Sequence, residues 1–183
     1  MAEHSALSIY NSIFLGWPQG ILIDASLGTS TALNIEDSTL RLRNITLAGN
    51  TVNVKFTGAG GATITNDATL TAWFTNSVYG NELLTNASDA KLIQPYNYNA
   101  PDPTPFAGSS GNQKILTGAA FTDVKFTGDT FFDKTVTFRG AVAPAGPEAT
   151  WWKDGQSSIR TSSDSYGKVP VSPGLFYFLS YRK

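Results

Sequence analysis

Apolar and polar residues alternate in short runs along the first third of the chain, and the alternation repeats. Leu7-Ser8-Ile9-Tyr10-Asn11-Ser12-Ile13-Phe14-Leu15-Gly16 lies over Leu40-Arg41-Leu42-Arg43-Asn44-Ile45-Thr46-Leu47-Ala48-Gly49 at a constant offset of 33 residues. A period of two puts successive side chains on opposite faces of a strand. Each copy therefore predicts a strand reaching an Asn, a second short apolar strand, and a turn closed by Gly. A third strand follows in each, over Gly20–Asp24 and over Thr51–Phe56. Short strands separated by Asn or Gly corners, repeated at a fixed period, are the pattern of a parallel β-helix coil. A hairpin meander gives a similar alternation, and two copies leave both arrangements open. In the β-helix, Ile9, Ile13, Ile21, Ile23, Leu42, Val52 and Val54 point inward and stack between coils, while the internal Asn residues hydrogen-bond along the axis. Residues 25–37, rich in Ser, Thr and Ala, read as a loop leaving one coil.

The period then changes. Thr65-Asn66-Asp67 offers helix N-caps, Leu70, Trp73 and Phe74 share one helical face, and Gly80 is placed to end the element. This predicts a short amphipathic helix near 67–78 that caps the stack, with Trp73 as its buried anchor. Residues 94–113 read as a linker: four prolines fall within Pro95–Pro105, so the segment should be extended and lack regular pairing. An aromatic segment over 114–155 is expected to pack on the flank of the coils. Residues 156–183 form a polar tail that ends in a short strand, Leu175 to Tyr181, with no evident partner other than the open edge of the first coil, along which its alternating aromatics could pair. The expected fold is thus all-β, with one short helix: β-helix coils and cap over 5–93, then linker, aromatic segment and tail.

Composition narrows the function classes. Lys and Arg number 13 against 14 Asp and Glu, and no basic run exists to displace counterions from phosphate, which argues against nucleic acid binding. Arg41 and Arg43 alternate with Leu40 and Leu42 and read as the outer side of a strand. With no Cys there is neither a disulfide framework nor a thiolate zinc site. The start, Met1-Ala2-Glu3-His4, lacks the basic region of a signal peptide. The apolar run Ile13 to Ile23 is interrupted by Gly16, Pro18 and Gly20 and is too short to cross a bilayer, so no membrane insertion is expected. These features fit a cytosolic protein or a piece of a longer exported chain.

Candidate chemistry is sparse. His4, the single histidine, sits in the first residues, where nothing holds a general base in position. No cluster has metal-ligand spacing and no Gly-rich run has the Lys-Ser/Thr of a phosphate loop, so no catalytic residue, metal or cofactor is assigned. Two sets of carboxylates are candidates for glycosidase or lyase chemistry: Asp24, Glu36 and Asp37, and Asp123, Asp129 and Asp133. Both read more simply as turn residues. Tyr96, Tyr98, Trp151 and Trp152 are the candidates for ligand binding, as flat rings on which a pyranose could stack.

Several motifs together resemble a family of large exported bacterial surface proteins: Gly16-Trp17-Pro18-Gln19-Gly20, Ala72-Trp73-Phe74 with Gly80-Asn81, Leu116-Thr117-Gly118-Ala119-Ala120-Phe121, and Phe131-Phe132-Asp133-Lys134 with Phe138-Arg139-Gly140-Ala141 and the Trp pair. The resemblance spans roughly residues 5–154. It departs at Ser109-Ser110-Gly111-Asn112 and ends after Asp154-Gly155. It implies a partial right-handed parallel β-helix and a non-catalytic structural or capping module at the cell surface, with an adhesive role. Its partners would be preceding coils of a longer parent chain, a second copy, or a polysaccharide. A remnant of a polysaccharide-degrading β-helix enzyme and a phage tail-spike fragment are the alternatives.

Overall fold

The structure, a computed structural model, describes residues 5–27, 31–153 and 175–177. In chain order the first repeat supplies β1 (Ser8–Tyr10), β2 (Ile13–Leu15), β3 (Gln19–Ala25) and helix α1 (Thr31–Glu36). The second supplies β4 (Arg41–Arg43), β5 (Thr46–Ala48), β6 (Val52–Gly58) and α2 (Asp67–Phe74). Then come β7 (Glu82–Leu84), β8 (Leu92–Gln94), β9 (Asp102–Pro105), α3 (Gln113–Thr117) and β10 (Leu175–Tyr177). The chain is mainly β with three short α-helices among the described residues, not the single helix expected from the sequence.

The repeat seen in the sequence is the pairing in space. Ser8, Ile9 and Tyr10 lie opposite Arg41, Leu42 and Arg43; Ile13, Phe14 and Leu15 lie opposite Thr46, Leu47 and Ala48; and Ile21 and Ile23 lie opposite Val54 and Phe56. All three pairs are parallel and hold the offset of 33. β7 continues the middle sheet beyond β5, with Leu47 opposite Leu83. Asn11 and Asn44 turn the corners with φ of 50° and 55°, and Gly16 and Gly49 with 73° and 60°. A Cβ on Gly49 would meet the Ala87 backbone at 2.5 Å, so both conformation and space require Gly there.

Inside the strand pairs lies one apolar core. Ile21, Ile23, Leu42, Ile45, Leu47, Val54 and Phe56 form it, Ile9 packs against it partly buried, and Phe14 joins from β2. Two of the residues expected inside do not belong there. Val52 opens β6 opposite Gln19 and is 37% exposed. Ile13 is buried, but on the other face of β2: it joins Leu15, Ala48, Ala90, Leu92 and Ile115 in a second cluster. β2 and β5 are thus covered on both faces, which is why Ile13-Phe14-Leu15 reads as an unbroken apolar run and conceals which residue points inward.

The connection expected to be a loop at 25–37 contains α1, whose Ala32 and Ile35 enter the core. α2 occupies the corresponding position after β6, so helix follows third strand in both repeats. The Asn66 side chain accepts from the Thr69 N–H at 3.0 Å while the Thr69 hydroxyl accepts from the Asn66 N–H at 3.1 Å, a reciprocal cap that fixes the α2 start. α2 ends at Phe74, earlier than expected. A single 3₁₀ turn, Ser77–Tyr79, follows and closes on Gly80 with φ 65°. Leu70 and Phe74 are its anchors, at 1% and 0% exposure, whereas Trp73 is only partly buried and lies 5.4 Å from the Tyr79 ring. The i, i+4 pair faces the core, and the indole sits at its margin.

The Pro-rich segment is paired after all. β8 and β9 run antiparallel, with Leu92 opposite Pro105 and Gln94 opposite Asp102. The Phe106 N–H, just beyond Pro105, donates to the Lys91 carbonyl at 2.8 Å. Proline fits here because β9 is an edge strand, where a missing N–H costs the ladder nothing. β10 pairs antiparallel with β2; the remainder of the 156–183 tail lies outside the described residues, as does His4.

Candidate functional site

The segment from Gly118 onward lies against the outer face of β1, held by two arginines. Strand alternation turns Ser8 and Tyr10 away from the core, and Phe126 meets the Tyr10 ring edge-on at 4.7 Å. Phe121 and Phe132 pack on Phe126 at 5.1 and 5.4 Å. Between this aromatic wall and Leu7–Ser12 lies a cavity of about 250 Å³.

Arg41 donates to both carboxylate oxygens of Asp123 at 2.8 and 2.9 Å. Asp123 also accepts from the Lys125 N–H at 2.9 Å. Burial alone would raise its pKa, but the Lys125 N–H and Arg41 outweigh that and hold it below the usual carboxylate range. The Tyr10 hydroxyl lies beside this pair without the geometry of a hydrogen bond. Burial, and then the neighbouring Asp123 carboxylate, push its pKa up. The other strand arginine, Arg43, stacks over the Tyr79 ring at 3.8 Å.

The second fastening is Arg139, which sequence reasoning did not single out. Its side chain is buried, and it donates to the Gly80 carbonyl at 2.6 Å, to Gly118 at 3.2 Å and to the Thr46 hydroxyl at 3.1 Å. One guanidinium therefore joins the corner before β7, the end of α3 and the middle strand β5. Burial draws its pKa down to about 10, against the opposing pull of Glu82. Gly118 makes room: a Cβ there would come within 2.8 Å of the guanidinium. The signal in the sequence was an arginine in an apolar setting, Phe138-Arg139-Gly140, within a chain of few charges.

Asn side chains complete the attachment, although not as an axial ladder. Asn11 pairs with the backbone of Ala120 in both directions, at 3.0 and 3.2 Å. Asn50 and Asn81 are the residues that bridge successive layers, accepting from the N–H groups of Trp17 and Ile45 at 2.8 and 2.9 Å.

The two carboxylate groups are engaged in local structure. Glu36 accepts from the N–H groups of Ala62, Thr63 and Ile64 at 3.1, 2.6 and 3.0 Å, and these donors, led by Ile64, lower its pKa to about 2. Asp24 accepts from Ser26 and Thr57, which holds its pKa down. Asp37 and Asp133 each close a turn onto a Thr two residues on, and Asp129 holds Phe131 and Phe132. Among the described residues no three metal-ligating side chains gather.

The four aromatic candidates have separate environments. Tyr96 lies partly buried against Gly16, where any Cβ would meet its ring, and beside Leu15 and Leu92. Tyr98 is 63% exposed. Trp151 is 47% exposed, with its indole N–H donating to the Ala141 carbonyl at 2.9 Å. Trp152 donates to Ala149 at 3.0 Å, and the Lys153 amine sits 5.1 Å from its ring. Trp151 and Tyr98 keep a large exposed surface; Tyr96 serves packing.

Comparison with protein-family models, with curated proteins and with solved structures returns no match. Among the described residues no helix is long and apolar enough to cross a membrane.

Proposed function

We propose that this chain is a non-catalytic structural module: two successive turns of a parallel β-helix and the start of a third, flanked by an aromatic segment. The observation that carries this is the constant 33-residue register across three separate strand pairs. A meander would pair β1 with β2 and β2 with β3. In a solenoid each repeat buries its apolar face only against its neighbours, so the role of such a unit is to stack. The motif resemblance favours a role for that stack at the surface of a bacterial cell, and the partly exposed Trp151 and Tyr98 suit it to polysaccharide contact.

The enzyme-remnant alternative needs two carboxylates converging on a groove. Glu36, Asp24 and Asp123 are instead committed to backbone N–H groups, a serine and an arginine. Incubation with a panel of polysaccharides, scored by release of reducing ends, tests the proposal. No release from any substrate is the expected outcome; release abolished by Glu36→Gln or Asp123→Asn would replace the structural reading with a catalytic one.

A further inference from the structure

β10 runs against the direction of every other strand in its sheet. The order is β10-β2-β5-β7, and β2, β5 and β7 are mutually parallel, while β10 lies antiparallel on β2. An antiparallel neighbour can satisfy the edge of a parallel sheet, but it does not continue the stack.

The hydrogen-bond pattern shows which groups it covers. Thr46 N–H donates to the Ser12 carbonyl and Gly16 N–H to the Ala48 carbonyl, both at 2.9 Å. In a parallel ladder alternate residues bond to the same neighbour, so Ser12, Phe14 and Gly16 face β5, while Ile13 and Leu15 present N–H and C=O on the opposite edge. Those two residues stand opposite Tyr177 and Leu175. Phe14 and Phe176 are then a non-hydrogen-bonded pair, and the Phe176 N–H points away from β2.

β2 is also the most apolar strand of the first repeat, Ile13, Phe14 and Leu15 being 2%, 6% and 0% exposed. An uncovered edge of that composition invites strand addition. Among the described residues β7 has β5 as its one strand neighbour, and it runs in the direction that a further parallel strand on β2 requires. Building on the parallel-stack reading above, we infer that β10 is an edge cover, which ends the sheet at β2 and prevents β7 of a second copy from pairing there. A β7-to-β2 contact is head-to-tail and does not close, so its product is an open series of oligomers, not a dimer.

Proline placement tests this on the intact chain. Tyr177→Pro removes an N–H that bonds to β2, whereas Phe176→Pro removes one that points away. The expected result for Tyr177→Pro is amide exchange at Ile13 and Leu15 faster by about tenfold or more, together with concentration-dependent oligomers in light scattering. Phe176→Pro should match the unmodified chain in both. Equal exchange in the two variants overturns the cover; faster exchange in a protein that stays monomeric at every concentration overturns the second copy as the thing excluded. Neither readout depends on the polysaccharide assay, so the functional reading stands or falls separately.

Discussion

Ile9 and Leu42 stand opposite each other on β1 and β4, one layer apart in a parallel pair, with Leu42 fully enclosed and Ile9 packed on the same core. Leu42→Ala should cost about 2–5 kcal/mol, the range for a buried leucine whose site cannot collapse. Ile9→Ala should cost less, because its side chain is partly exposed. The residues are neighbours, so the double variant should be less destabilised than the sum of the two, a coupling readable from urea midpoints.

Phe74 and Trp73 are adjacent on α2 and should rank opposite to their sizes. Phe74→Ala removes a fully buried ring and should cost about 3–5 kcal/mol, while Trp73→Ala should cost clearly less. Equal losses in chemical denaturation would return Trp73 to the role of anchor that its place in the sequence suggested.

Arg139 holds three acceptors from separate parts of the chain. Arg139→Met keeps much of the volume and leaves those acceptors unpaired, at about 1–3 kcal/mol for each one that water cannot reach. The loss should appear first as faster amide exchange at Ala119 and Gly140, whose N–H groups bond to Thr137 and Asn11, before the core amides respond.

Glu36 gives stability a defined acid dependence. Its pKa falls from 4.5 to about 2 on folding, so its contribution is complete above 4.5 and is lost as pH drops through that interval. Glu36→Gln should lower the melting temperature at neutral pH and flatten the decline between pH 4.5 and 2. An unchanged slope in that variant would show that other carboxylates carry the acid response.

Much of the architecture was legible because a strand repeat with a fixed offset is recorded directly in the residue pattern. Leu7–Gly16 over Leu40–Gly49 gave the register to the residue. Orientation was less legible where a strand is buried on both faces: Ile13 and Phe14 are equally apolar, and the residues that cover the outer face of β2, Leu92 and Ile115, lie about a hundred positions or less along the chain and leave no local mark. α1 leaves no mark in the residue pattern because six residues are fewer than two turns, and its buried face mixes Thr31 and Asn34 with Ala32 and Ile35 while Leu33 is exposed. β9 was hidden by its own prolines, since Pro103 and Pro105 argue against a strand except at an edge. The attachment site was the least legible part. Arg139 draws its partners from Thr46, Gly80 and Gly118, and that convergence exists in three dimensions alone.

The parallel stack is the claim on which the rest depends, and cross-strand proton–proton contacts in solution test it most directly. Assigned spectra should show backbone contacts joining β1 to β4, β2 to β5 and β3 to β6, all at the 33-residue offset, including Ile9 to Leu42 and Ile21 to Val54. Contacts joining β1 to β2 and β2 to β3 in antiparallel register would identify a meander and contradict the account.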